Sequence, residues 1–282
     1  MIDPIVAEDV IERALAEDIG FCDLTSELVI PADARAELAL VARQDVVVAG
    51  IDITARVFLR RVPDCRVELR AKDGDRVKAG GAMGRVEGPA RGLLAVERTA
   101  LNFLQHLSGI ATLTAQYAER IAGTRAVLID TRKTIPGLRA LEKHAARMGG
   151  ARNHRLRLDD GVLIKDNHIS VCGSIATAVA RARSGAPVLT KIEVECDTLV
   201  QVKEALAAGA DMILLDNMSV EDVRRAVALS GGRVPLEASG GVRLETIRAI
   251  AETGVDYISV GRITQSAPAV DIGLDAIVRT KP

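Results

Sequence analysis

The chain has 282 residues, 48% of them apolar, with 37 Lys and Arg against 38 Asp and Glu for a net charge of −1. That length accommodates two domains or one large α/β barrel with a full core. The near-zero charge, two Tyr, three Phe and no Trp exclude a general polyanion binder and leave little to stack on single-stranded nucleic acid.

Four cysteines, Cys22, Cys65, Cys172 and Cys196, are scattered without a CxxC pair. Neither a zinc site nor a disulfide framework is expected, and a reducing cytoplasm is the natural setting. No signal-like N-terminus and no run of about 20 apolar residues is seen, so no membrane partner is expected.

In chain order, "DVIERALAED" (9–18) has helical spacing and ends at Gly20. "AELALVARQDVVVAG" reads as a β segment closed by Gly50, and "IDITARVFLRRV" as a helix. The stretch 65–88 alternates around Asp73-Gly74 and predicts a hairpin; it resembles the biotinyl-domain hairpin, without a lysine in the tip context that the cofactor needs. From Gly92 to Ile121 the pattern predicts a long helix pair, broken or bent at Gly109. After Gly123 short apolar runs recur, each followed by polar or glycine residues and a helical segment: "AVLID", "VLI", "VLTKIEVE", "MILL", "VPLEA" and "YISV". Buried, non-alternating strands in β-then-α order predict a parallel sheet, and Ser219 is placed to cap a helix. A complete eight-stranded barrel needs about 250 residues, so the barrel is expected to be small or incomplete. No GxGxxG follows a first strand, which disfavours dinucleotide binding.

Barrel active sites lie at the C-terminal ends of the strands. Those ends carry Arg132 and Lys133, then Lys165 with His168, then Glu195, Asp216, Ser239-Gly240-Gly241, and Gly261-Arg262. Between 132 and 165 there are nine basic residues against three acidic ones. Arg139, Lys143 and Arg147, on a helical stretch, read as solvated charges, and His106 and His144 as structural or surface groups. Arg132, Lys133 and Lys165 directly follow apolar strands, where a charge needs a partner. His154 abuts Arg155. Glu193 and Glu195 point the same way, and one of them is expected only to pair with Lys191. Glycine turns between a strand and a helix suit a phosphate. Arg and Lys fit a dicarboxylate and a pyrophosphate, and two facing acids suit Mg²⁺, ribose hydroxyls or a developing positive charge.

The stretches "LAEDIGFCDLTS", "ERTALNFLQHLSGIATLT", "DTRKTIPGLR", "ARNHRLRLDDGVLIKDNH", "IEVE", "ILLDNM", "EASGGV" and "GVDYISVGRITQSAPAVDIGLD" resemble, in this order, the quinolinate phosphoribosyltransferase family. The resemblance covers nearly the whole chain. It implies an α/β fold with an N-terminal α/β sandwich domain (1–110), an incomplete parallel α/β barrel (111–268), and a tail (269–282) free to return to the N-terminal domain. It further implies transfer of phosphoribose from phosphoribosyl pyrophosphate to quinolinate, giving nicotinate mononucleotide, CO2 and pyrophosphate with Mg²⁺. The enzyme is expected in the cytoplasm, as a homodimer or dimer-based hexamer with shared active sites.

Carried over by motif, Arg132, His154, Arg155 and Lys165 hold quinolinate, helped by Arg98 from a second copy. Lys133, Glu195, Asp216, Ser239, Gly240, Gly241, Gly261 and Arg262 hold the phosphoribosyl donor, with Glu195 and Asp216 also at the metal. The catalytic set is Lys133, Lys165, Glu195 and Asp216. Cys22, Ala151, Arg157 and Gln265 depart from the family's pattern, and Gln265 puts one phosphate contact in doubt. Three alternatives compete: the same scaffold with another acceptor, as in molybdenum-operon relatives or with nicotinate; a Schiff-base aldolase using Lys165; and a non-catalytic dicarboxylate binder.

Overall fold

The computed structural model describes residues 3–277. Its elements in chain order are α1 (Pro4–Asp18), α2 (Leu24–Val29), β1 (Arg35–Ala42), β2 (Val46–Val47), α3 (Ile51–Arg61), β3 (Arg66–Leu69), β4 (Arg76–Val77), β5 (Ala82–Pro89) and α4 (Ala90–Arg120). There follow β6 (Val127–Ile129), α5 (Arg139–Met148), β7 (Val162–Ile164), α6 (Asp166–Cys172), α7 (Ile175–Gly185), β8 (Ile192–Cys196) and α8 (Leu199–Ala207). The chain closes with β9 (Met212–Asp216), α9 (Val220–Ser230), β10 (Leu236–Ser239), α10 (Ile247–Ala251), β11 (Tyr257–Ser259), α11 (Arg262–Gln265) and β12 (Ile272–Ala276). They form two compact units. One gathers the chain up to Ala115, Thr134–Gly150 and the chain from Ile263; the other holds Gln116–Lys133 and Ala151–Arg262.

The first unit is built on a four-stranded antiparallel sheet in the order β12-β1-β5-β3, beside a two-stranded β2-β4 ladder. Its core gathers Leu40, Val48, Met83, Leu104, Val270 and Ile272. The stretch 65–88 does fold back on itself as an antiparallel pair, β3 with β5, but not as a hairpin across Asp73-Gly74. The turn exists, with Gly74 at φ +93°, but it joins strands of different ladders, since β3 pairs with β5 and β4 with β2. Likewise α4 is one helix of 31 residues, not a bent pair. Gly109 does not break it; a Cβ there would sit 2.2 Å from the Pro268 carbonyl oxygen, so the residue makes room for the returning chain. Residues 134–150, expected in the barrel, group with this unit instead. Their helix α5 is tied into it by His106 Nε2–Glu142 Oε1 at 2.9 Å and His144 Nε2–Asp73 Oδ2 at 2.6 Å. Lys143, expected in solvent, is buried on the inward side of α5.

The second unit is a six-stranded parallel sheet, β6-β11-β10-β9-β8-β7, wrapped by helices as a parallel sheet requires. Among the described residues β6 and β7 are not paired with each other, so the barrel stays open. The central strands β8, β9 and β10 are buried along most of their length. The expected strand before Glu195 starts only at Ile192, because Val188 and Leu189 are exposed. Helices α7, α8 and α9 start where Ser174, Thr198 and Ser219 accept the backbone N–H three residues on, at 3.1, 3.3 and 3.1 Å; these caps supply partners for N–H groups that the helix itself cannot satisfy. At the N-terminal edge of the sheet, carboxylates clasp neighbouring strands. Asp211 Oδ2 accepts from Ile192 N at 2.8 Å, and Asp256 Oδ2 from Leu236 N at 3.0 Å.

Candidate active site

Successive residues of a strand face opposite sides, and residues in register across a parallel pair face the same side. Glu193 is in register with Met212, Glu195 with Leu214, Leu214 with Glu237, and Asp216 with Ser239. Leu163, two residues before Lys165, is in register with Glu193. The alternation therefore puts Lys165, Glu193, Glu195, Asp216, Glu237 and Ser239 on one face, with the later residue of each strand toward the C-terminal rim.

The cationic half of the rim is built from two chain segments laid side by side. Ile129 forms a parallel bridge with Arg152, supported by Arg152 N to Leu128 O at 2.9 Å and Asp130 N to Arg152 O at 3.1 Å. The fully buried Asp130 then takes Asn153 Nδ2 at 2.5 Å and the His154 backbone N–H at 2.8 Å. This fixes the segment bearing His154 and Arg155 alongside Arg132. Arg155 Nη1 donates to Gly161 O at 3.0 Å. Its guanidinium is held below the usual arginine range, first by burial and then by repulsion from Arg132. Two like charges are thus pressed together.

Behind that ring lies an acidic pair. His154 Nε2 is 2.9 Å from Glu193 Oε2 and 3.4 Å from Glu237 Oε2. Glu193 is 5% and Glu237 1% exposed. Burial works against the imidazolium, yet the hydrogen bond to Glu193 and the negative charge of both carboxylates overcome it and push His154 up to about 10. Burial, with the charge of Glu237, pushes Glu193 up to about 7 against the opposing pull of His154. Glu193 therefore does not serve Lys191, as its position had suggested; it serves His154. The ligand atoms of these three side chains lie within 4.8 Å of one another.

On the other half, Lys165 Nζ bonds Glu195 Oε2, joining two residues that the sequence placed only on separate strands. His168 Nδ1 accepts from Lys165 N at 2.9 Å and so caps α6. Asp216 Oδ2 accepts from Asn217 Nδ2 at 2.7 Å. Among the described residues Asn217, at φ +55°, is the non-glycine residue of positive φ, and it leans on the next turn: Asn217 N donates to Ser239 O at 3.0 Å. Gly240 and Gly241 stand at φ +87° and +59°. A Cβ on Gly240 would lie 2.2 Å from Asn217 Oδ1, so this turn admits only glycine. Past β11, a Cβ on Gly261 would lie 2.7 Å from Lys133 Cδ, so the Lys133 side chain crosses Gly261. Arg262 begins α11 and is exposed.

The structure thus brings Arg132, His154 and Arg155 together, Lys165 with Glu195, Asp216 with Ser239 through their register, and Lys133 with Gly261. Arg98 is exposed on α4 in the first unit and is described with that unit. Of the departures, Cys22, Arg157 and Gln265 are exposed and Ala151 is buried. Sequence reading missed Asp130, Asn217 and Glu237. Asp130 ends an apolar run just as Asp216 does, and Glu237 sits inside the apolar run "VPLEA", a signal that was available.

Residues 110–275 match the family model "Quinolinate phosphoribosyl transferase, C-terminal domain", and residues 23–108 match its N-terminal domain. The chain is similar to the carboxylating nicotinate-nucleotide pyrophosphorylase of Mycobacterium leprae, 45% identical over 95% of this chain and 96% of that one. It is also similar to the probable enzyme of the same name from Bacillus subtilis, 44% identical over 92% and 89%. Among solved structures, the nicotinate-nucleotide pyrophosphorylase from Francisella tularensis superposes with a TM-score of 0.95 at 38% identity, covering 98% of both chains.

Proposed function

The chain belongs to the quinolinate phosphoribosyl transferase family, and from that premise we propose how its charged rim performs the reaction. The enzyme transfers phosphoribose from phosphoribosyl pyrophosphate to quinolinate with decarboxylation, a pentosyl transfer that serves NAD biosynthesis. Family membership sets aside the aldolase and the binding-protein readings. In our assignment the two carboxylates of quinolinate lie among Arg132, His154, Arg155 and Lys165, with Arg98 supplied by a second copy in a homodimer or dimer-based hexamer in the cytoplasm. The observation that carries this reading is the mutual repulsion of Arg132 and Arg155 at the rim, on and beside the segment that bears His154, which an entering dianion relieves. Nicotinate, with one carboxylate, would bring only half of that opposing charge.

The donor lies across the other half of the rim. Ser239, Gly240, Gly241, Gly261 and Arg262 take its phosphate, and Lys133 meets its pyrophosphate end. Glu195 and Asp216 face the ribose, where they stabilise the positive charge that develops at C1 as pyrophosphate leaves. The cations hold the ring so that the pyridine nitrogen points at C1, and they bring two anionic substrates together against their repulsion. Once the nitrogen has bonded to C1 it is positive. The carbon next to it can then lose its carboxylate as CO2 and keep the electron pair. A proton from Lys165 or Lys133 completes the product, nicotinate mononucleotide. Opening of the Lys165–Glu195 ion pair releases the lysine to quinolinate and the carboxylate to the ribose.

Mg²⁺ fits the donor set here. Glu195 and Asp216 end neighbouring strands, and this ion takes one or two carboxylates together with phosphate oxygens and water. Bound there, it would neutralise charge on the departing pyrophosphate. The direct test is incubation of the protein with quinolinate, the donor and Mg²⁺. Release of CO2 together with nicotinate mononucleotide is the expected result; turnover of nicotinate but not of quinolinate would overturn the substrate assignment.

A further inference from the structure

We propose that Glu193 and Glu237 are positioning residues of this reaction: buried carboxylates from β8 and β10, one on each side of β9, that hold the Nε2 edge of His154 and present its Nδ1–H, on a cationic ring, to one carboxylate of quinolinate. The role rests on the substrate assignment above and adds to it two residues that do not touch substrate.

Three observations carry the role. First, geometry fixes the ring from two sides. Its backbone N–H is bound by Asp130 at 2.8 Å, and its Nε2 faces Glu193 at 2.9 Å and Glu237 at 3.4 Å. Only the Nδ1 edge then remains for a ligand. Second, both glutamates are more than nine-tenths buried, and each leaves a carboxylate oxygen, Glu193 Oε1 and Glu237 Oε2, without a hydrogen-bond partner. For Glu237 Oε2 the His154 contact at 3.4 Å is therefore an ion pair lacking hydrogen-bond geometry. Burying two acids so poorly satisfied is costly, and a core built only for packing would place apolar side chains here. Third, burial of this ring works against its charge, and the two carboxylates oppose that tendency. A neutral ring would suit the buried position better, so keeping it charged takes an opposing device, and the acids behind it are that device. A trio of this kind could also bind a cation, but at 2.9 Å Nε2 and Oε2 are in direct hydrogen-bond contact, with no room for an ion between them.

Glu193→Gln and Glu237→Gln keep shape and remove charge. Each is expected to raise KM for quinolinate about tenfold, the weight of a charge-assisted hydrogen bond, while KM for phosphoribosyl pyrophosphate moves less than about threefold. In a His154→Ala background the same substitutions should change the quinolinate KM less than about twofold, because the ring through which they act is gone. Equal rises in both KM values, or undiminished effects in the His154→Ala background, would overturn the role and leave the glutamates as packing. A measurement on the unsubstituted enzyme guards against variants that fail to fold. With ¹⁵N-labelled histidine at about pH 8.5, well above the ordinary histidine range, both ring nitrogens of His154 should carry protons; a neutral ring would refute the proposal. If the unsubstituted enzyme makes no nicotinate mononucleotide from quinolinate, it is the substrate assignment that fails. Normal turnover with unaltered Gln variants would defeat the positioning role alone.

Discussion

At the scale of single residues, some rim groups are assigned to meet substrate and others to aim them. Arg155→Ala removes a guanidinium that burial and Arg132 already press downward. Loss of one partner from a desolvated charge pair costs about 2–5 kcal/mol, so quinolinate affinity should fall by roughly 30-fold or more with much less effect on the donor. Equal losses for both substrates in isothermal titration would count against the assignment. His154 gives a pH signature. Its folded value, pushed up to about 10, exceeds the ordinary value of 6.5, so the stabilisation it provides is fully present below about pH 6.5 and is lost as pH rises through about 10. The difference in urea stability between wild type and His154→Ala should therefore shrink from pH 6.5 to 10; a constant difference would show that the ring is not held as a cation. Arg132, Lys165, Glu195 and Asp216 were legible because a charge directly after an apolar strand stands out along the chain. The partnership of His154 with Glu193 and Glu237 was not, because three segments far apart in sequence meet only when the sheet orders β8, β9 and β10 side by side.

At the scale of elements, the two ends of the parallel sheet do different work, as in barrels generally. Asp211, at the N-terminal end, clasps Ile192 N and is held below the usual carboxylate range chiefly by its bond to Arg183. Asp211→Ala is expected to cost about 1–3 kcal/mol, and so to lower Tm by several degrees, with KM for both substrates unchanged. A shift in KM would mean that this end communicates with the site. Gly240→Ala, at the opposite rim, should weaken donor binding far more than quinolinate binding, because the new Cβ meets Asn217; retention of donor affinity would exclude the turn from the phosphate site. The alternation of strand and helix after Gly123 was readable because burial on both faces leaves short apolar runs. The ladder that follows Asp73-Gly74 was not, since a turn signal is local while β4 takes its partner, β2, from before α3. Gly109 misled for a related reason. Glycine weakens any helix interior, and nothing nearby in sequence reveals that Pro268 needs the space.

At the scale of the molecule, the chain visits its first unit three times, and β12 completes that unit's sheet by pairing with β1, Leu38 opposite Ala276 and Ala42 opposite Ile272. Val270 and Ile272 enter the core from that segment. Deleting the chain from Val270 onward removes both, roughly 3–6 kcal/mol of apolar burial, and uncovers the β1 edge. Loss of cooperative unfolding in calorimetry, or a large fall in Tm, is expected; an unchanged transition would show the strand to be dispensable. The same pairing sets an order of events during synthesis. The ribosome delivers β1 well before β12, so the sheet begun by β1 cannot be finished until everything between the two strands has emerged. Until then β1 offers a bare strand edge, the feature most apt to recruit another nascent chain. This protein should accordingly depend on chaperones while it is being made more than its finished stability would indicate.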